Sequence, residues 1–208
     1  METIRFYFSF RSPYSWLVFH RIRRAIEGLP VRLECVPVFP PKDYPNDPAV
    51  PAKLPYIVAD VERIARAYGL GVRWPREVDA NWMRPHVAHL HAEKHGKGDA
   101  FALAAYAARF SEGRDLGADD TLASVASASA LDPQGTIRAA DDPALVRRVG
   151  GGIKSAVEIG VFGVPTFVYR EEKFWGNDRI DWLLRRIHED LGRPVPDLRE
   201  DPLARPWG

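Results

Sequence analysis

Ile4-Arg5-Phe6-Tyr7-Phe8-Ser9-Phe10-Arg11-Ser12-Pro13-Tyr14-Ser15-Trp16-Leu17 is the stretch on which the fold turns. Its first half is aromatic and β-prone and predicts a strand. Ser12-Pro13 then signals a helix start: the serine hydroxyl caps free amides, and proline is pre-shaped for the first helical position. The helix is predicted from about Tyr14 to Ile26, with Trp16, Leu17, Phe19 and Ile22 on its apolar side, and Gly28-Leu29-Pro30 stops it. Val31-Arg32-Leu33-Glu34-Cys35-Val36 alternates apolar and other side chains as a second strand does. The opening is β-α-β, with a connection long enough for a parallel pair.

From Phe39 to Pro51 the chain reads as proline-rich and irregular. Helical patterns follow over 56–68, 80–94, 99–110, 119–130 and 142–159. Asp132-Pro133 and Asp142-Pro143 are capped starts of the Ser12-Pro13 type. Gly150-Gly151-Gly152 interrupts the last pattern and predicts either a break or a close helix contact. Pro165-Thr166-Phe167-Val168-Tyr169 and Lys173-Phe174-Trp175 flank three polar residues, which predicts a hairpin. A final helix is expected from Asp178 to about Leu191, its apolar face carrying Ile180, Trp182, Leu183, Leu184 and Ile187. The order is β-α-β, a block of helices, then β-β-α.

Composition narrows the function. The 208 residues carry 29 Lys plus Arg against 28 Asp plus Glu, with no basic stripe, so nucleic acid is not an expected partner. No stretch approaches the apolar length of a membrane span. The opening residues show no secretory pattern, and the single cysteine, Cys35, cannot form an internal disulfide. A cytoplasmic location is therefore the expectation.

Phe10-Arg11-Ser12-Pro13-Tyr14-Ser15-Trp16-Leu17 resembles the opening motif of the 2-hydroxychromene-2-carboxylate isomerases and of the related kappa-class glutathione transferases. Gly160-Val161-Phe162-Gly163-Val164-Pro165-Thr166-Phe167, followed by Phe174-Trp175-Gly176-Asn177-Asp178-Arg179, is similar to the closing signature of the same DsbA-like group. Pro51-Ala52-Lys53 with Tyr56, Asp60, Arg63 and Gly69-Leu70 matches the middle of the pattern. The resemblance implies an α/β, thioredoxin-like fold with an inserted all-helical domain: residues 1–38 and 161–208 form the thioredoxin-like part, 39–160 the insert. It also implies a glutathione-dependent isomerase with a small aromatic keto-acid substrate and the homodimer as a candidate assembly. Two features depart from the pattern. Asn46 stands closer to Lys53 than the family's asparagine does, and Trp82 to Lys97, with four histidines, matches poorly.

The residues could do the following chemistry. A redox member of this fold holds a thiolate at the helix N-terminus, where free amides and the helix dipole stabilise it. Ser12 and Ser15 take the positions of the two cysteines, so thiol-disulfide exchange is lost while the electropositive helix end remains. By the resemblance, the Ser12 hydroxyl donates a hydrogen bond to the thiolate of glutathione or another low-molecular-weight thiol; by local sequence, Ser12 is a helix cap. Val164-Pro165 reads locally as a strand start, and by fold analogy as a cis peptide whose preceding residue offers its backbone to the ligand. Asn177 and Asp178 read as a cap of the last helix, and by resemblance as the γ-glutamyl contacts of glutathione. Lys53 is the candidate for the glycyl carboxylate. Tyr14, Asn46 and Trp82 are candidates for the substrate side. His91 and His95 stand one turn apart, a metal-capable spacing, yet no third ligand is apparent and no metal is expected; His86 and His89 have no assigned role. Cys35 reads as a small buried residue. The competing readings are a glutathione transferase at the same site and a thiol- or peptide-binding module without turnover.

Overall fold

The computed structural model describes residues 1–39, 50–75 and 81–195. A four-stranded sheet of order β2-β1-β3-β4 organises the chain. β1 (Glu2–Phe8) runs parallel to β2 (Val31–Pro37), and β3 (Thr166–Tyr169) lies antiparallel to both β1 and β4 (Glu172–Trp175). The β-α-β opening requires the first pairing, because α1 (Pro13–Ala25) supplies the crossover.

β1 is buried on both faces. Ile4, Phe6 and Phe8 point to one side, where α1 and α8 (Ile180–Asp190) pack, and Phe6 stacks on its register partner Phe167 at 4.8 Å between ring centres. Tyr7 points to the other side with Val168, Val38 and Ala156 of α7 (Pro143–Glu158). Each such side chain withdrawn from water contributes roughly 1.5–3 kcal/mol, and the aromatic run at the start of the sequence supplies most of it at the sheet centre.

The helical segment contains α2 (Val50–Ala67), α3 (Met83–Lys94), α4 (Gly98–Tyr106), α5 (Asp119–Ala128) and α6 (Pro133–Ala140) ahead of α7. The principal hydrophobic cluster is continuous across this segment and the sheet: Phe10 meets Phe101 and Tyr106, and Trp16 stacks on Phe110.

Four differences from the sequence reading have physical causes. α2 begins at Val50 and carries Pro55 inside it, where the sequence suggested an irregular run as far as Pro51. Pro51 occupies the first turn, which needs no N–H, so it starts the helix rather than blocking it. α6 is a complete helix where only its Asp132-Pro133 start was read; Asp132 caps it by accepting from Gly135 N–H at 2.7 Å. α4 gives way to a π-helical turn, Ala107–Ser111, which turns Ala108, Arg109 and Phe110 inward together. Such turns are frequent at functional sites. Finally, α7 runs unbroken through Gly150-Gly151-Gly152: a methyl group on Gly152 would stand 3.3 Å from Val36 Cγ1, so this glycine serves the close approach of α7 to β2.

Candidate active site

The end of the sheet where β1 finishes gathers the sequence candidates. Tyr7 pairs with Thr166, and Thr166 with Trp175, so the exit of β1, the entry to β3 and the exit of β4 lie side by side. Ser12 follows the first, Val164-Pro165 precedes the second, and Asn177-Asp178 follow the third.

The turn between β1 and α1 is fixed at three successive amides. Phe10 N–H donates to His86 Nε2 at 3.0 Å, Arg11 N–H to Ser9 Oγ at 3.1 Å, and Ser12 N–H to the Ser9 carbonyl at 3.0 Å. Ser12 is thereby presented, half-buried, as the N-cap of α1, and its Oγ accepts from Ser15 N–H at 3.1 Å. The cap uses the oxygen as acceptor and leaves the hydroxyl hydrogen available to donate. Pro13 has no N–H, and the Tyr14 N–H has no partner among the described residues. No acidic residue stands in the first turn. The helix end thus offers a hydroxyl, an amide and the positive pole of the dipole, a set suited to an anion. Ser15 is fully buried.

The Val164-Pro165 peptide is cis. Pro165 is buried, and its carbonyl accepts from Gly176 N–H at 2.9 Å, which joins the β3 entry to the turn carrying Asn177 and Asp178. That turn corrects one expectation. Asn177–Arg179 form a separate 3-10 turn, α8 starts after it, and neither Asn177 nor Asp178 caps α8. Asp178 is exposed, with Arg179 Nη1 2.6 Å from its Oδ2. The Asn177 carbonyl accepts from Arg21 Nη1 at 3.2 Å, while Arg21 Nη2 bonds Asp181 at 3.0 Å.

The remaining candidates surround this end on the helical side. The Tyr14 hydroxyl donates to Asp60 Oδ2 at 2.9 Å, tying α1 to α2; burial first and the Asp60 bond second push the phenol well above its ordinary range. Lys53 is exposed on α2, about two turns before Asp60 and so on the same helix face. Trp82 is partly buried beneath the Arg109 guanidinium, 4.8 Å from its ring centre, and its carbonyl accepts from His86 Nδ1. Asn46 lies outside the described residues.

Sequence reading missed two contributors. His86 is fully buried and ligates the Ser12 turn through its backbone; with Nε2 accepting, its proton sits on Nδ1, and burial lowers its pKa to about 4, so it is a neutral strut. Arg109, turned inward by the π-helical turn, lines a cavity of about 590 Å³ with Arg73, Trp74, Glu112 and Asp115. A hydrophobic-face histidine and a helix arginine carry no local pattern that would announce either role. The four histidines of α3 and its end divide accordingly: His86 and His89 are buried, whereas His91 is half-buried and His95 exposed. Cys35 is buried at β2, and burial pushes its thiol up to about 12, which removes it as a nucleophile.

This fold and this helix-end site define a DsbA-like thioredoxin domain, and residues 3–188 match the DSBA-like thioredoxin domain family. The 2-hydroxychromene-2-carboxylate isomerase of Sphingobium xenophagum is 30% identical over 195 residues, covering 88% of this chain and 96% of that protein. The protein of the same name from Pseudomonas putida is 26% identical over 202 residues, covering 94% and 98%. A solved 2-hydroxychromene-2-carboxylate isomerase superposes with a TM-score of 0.78 at 23% identity over 91% of this chain and 96% of that one. The chain belongs to the DSBA-like thioredoxin family, in the branch of the 2-hydroxychromene-2-carboxylate isomerases. Among the described residues, no helix is long and apolar enough to cross a membrane.

Proposed function

We propose that the protein is a thiol-dependent cis-trans isomerase of a small aromatic keto acid of the 2-hydroxychromene-2-carboxylate type, with glutathione or a similar thiol as its cofactor. The observation that carries this reading is Ser12: a hydroxyl donor at the anion-binding end of α1, where redox members of the fold place their own thiolate. A bound thiol supplies what the chain lacks, a nucleophile that adds to a conjugated double bond, permits rotation about it and leaves unchanged.

The chain's own groups support the rest. Ser12 O–H and Tyr14 N–H are positioned to favour the ionised over the neutral sulfur, and each pKa unit so gained corresponds to about 1.36 kcal/mol. The backbone before Pro165 lies at the same sheet end and suits an extended γ-glutamyl tripeptide, which binds as an added strand. Asp178 suits the ammonium end of that peptide, and Lys53 a carboxylate. The Arg109 cavity beside Trp82 offers aromatic surface and guanidinium to a planar, anionic substrate.

The test is conversion of 2-hydroxychromene-2-carboxylate, followed by absorbance, with and without glutathione. Turnover that needs the thiol but does not consume it supports the isomerase. Stoichiometric consumption of the thiol indicates a transferase instead, and thiol binding with no turnover of either kind a binding module.

A further inference from the structure

One turn along α3 from His86, on the same buried side, three side chains of metal-binding type meet. Cys35 Sγ, a ring nitrogen of His89 and a carboxylate oxygen of Glu93 all lie within 4.8 Å of one another. His89 is fully buried, yet among the described residues neither ring nitrogen has a hydrogen-bond partner; Nε2 stands 3.5 Å from Glu93 Oε1. Its surroundings offer no remedy, since the edge-on rings of Phe8 and Phe10 lie 5.1 and 5.9 Å away. Buried polar atoms in native proteins are satisfied by some partner, and an imidazole with two orphan nitrogens beside a thiol and a carboxylate lacks one.

We propose that Cys35, His89 and Glu93 form a binding site for a thiophilic divalent cation of the zinc type.

The donor set fits: one sulfur, one imidazole nitrogen and one carboxylate oxygen are all accepted zinc ligands. The distance fits as well. Zinc bonds to nitrogen and oxygen of about 2.1 Å give a tetrahedral edge of about 3.4 Å, close to the His89–Glu93 separation. His89 and Glu93 stand one helical turn apart on α3 and so share a face, while Cys35 reaches them from β2. Glu93, with a side chain 40% exposed, gives the ion a way in from solvent. Binding breaks the Cys35 S–H bond and forms a sulfur–metal bond, and the released proton goes to water. Two anionic ligands then balance the dication. The cations facing the cluster are Arg23 of α1 and, towards Glu93, Arg148; Glu34 adds a negative charge. Arg23 pairs with Asp99 and lies over Phe19 at 5.6 Å, and it also reaches the Cys35 thiol, so it must yield the sulfur to the ion.

Cobalt(II) is the probe, because a sulfur-to-cobalt charge-transfer band can come only from Cys35, the one cysteine of the chain. The full-length protein, stripped with chelator, should take up one equivalent with that band and release about one proton; zinc should displace the cobalt and raise the melting temperature. Glu93→Gln, on the solvent side of the site, should weaken zinc binding roughly tenfold or more in competition with a chromophoric chelator. His95→Gln should leave the affinity unchanged, which separates this site from the exposed His91–His95 pair. Absence of the charge-transfer band in the wild type overturns the proposal whatever the variants do. So does equal affinity in Glu93→Gln, or loss of binding in His95→Gln.

Discussion

Replacing His86 by glutamine should make the acid side of the stability curve shallower by the share that His86 carries, while the buried His89 keeps its own. His86 is fully buried and neutral, its pKa lowered from 6.5 to about 4 by burial, with its bond to the Trp82 carbonyl acting in the opposite direction. Between those values the unfolded chain binds the extra proton and the native one does not. Stability therefore rises with pH across this window, is fully present above about 6.5, and is lost as pH falls, levelling off below about 4. Between pH 7 and pH 5 the linkage relation gives a loss of about 2 kcal/mol for this one side chain, at about 1.36 kcal/mol per unit. The figure is set mainly by how far pH 5 lies below the ordinary value. Glutamine places a neutral acceptor near the position of Nε2, so Phe10 N–H keeps a partner while the titration disappears. Leucine removes both, and an orphaned buried amide costs about 1–3 kcal/mol at any pH. Urea unfolding of the metal-free protein in chelator, followed by tryptophan fluorescence at pH 7 and pH 5, reads all three. The expected pattern is a wild type that loses about 2 kcal/mol more than either variant on acidification, with leucine alone weakened at pH 7. An acid loss in His86→Gln equal to that of the wild type would refute the assignment of His86 as a neutral acceptor.

Three other outcomes are expected. Ser12→Gly and Ser12→Ala should both lose thiol-dependent turnover, although glycine caps α1 within a few tenths of a kcal/mol of serine; full activity in Ser12→Gly would show that the helix end alone activates the thiol. The protein should not catalyse reduction of insulin disulfides by a dithiol, because Ser12 and Ser15 occupy the exchange positions, and turnover in that assay would contradict the reading of the site. Asp178→Ala should weaken glutathione binding by about 1–3 kcal/mol in calorimetry while leaving the melting temperature near that of the wild type, since Asp178 caps no helix; a large fall in melting temperature with unchanged affinity would reverse that assignment.

Much of this could be read from the sequence because local chemistry and tertiary role coincide in it. Ser12-Pro13 is a helix start on any reading, and the aromatic strand before it can only be central to a sheet. Those two facts place the hydroxyl at the open end of the fold. The cis peptide at Pro165 was legible through the resemblance alone, since nothing local distinguishes it from a strand-start proline. Where local and tertiary signals diverge, the sequence misleads. Asn177-Asp178 looks like a cap, yet the 3-10 turn keeps both out of the cap position of α8. Pro51 looks like the end of an irregular run, yet it sits in the first turn of α2.

The histidines show why the rest stayed hidden. At positions 86, 89, 91 and 95 they read as one cluster, in which the 91–95 pair has a metal-capable spacing but no apparent third ligand. On α3, however, each step of one residue turns the side chain by about 100°. His86 and His89, three residues apart, consequently share the buried side of α3 against Phe8 and Phe10, His86 reaching the Phe10 amide and His89 meeting Cys35, while His91 and His95 turn away from them. What makes His86 informative is a backbone N–H seventy-six residues away, and what makes His89 informative is a strand from the other end of the β-α-β unit. Neither partner can be named without the packing of α3 against the sheet. The same packing explains the division of labour: α3 braces the turn that presents Ser12 with a side chain that stays uncharged at neutral pH, so no fixed charge from that strut competes with an anion at the helix end.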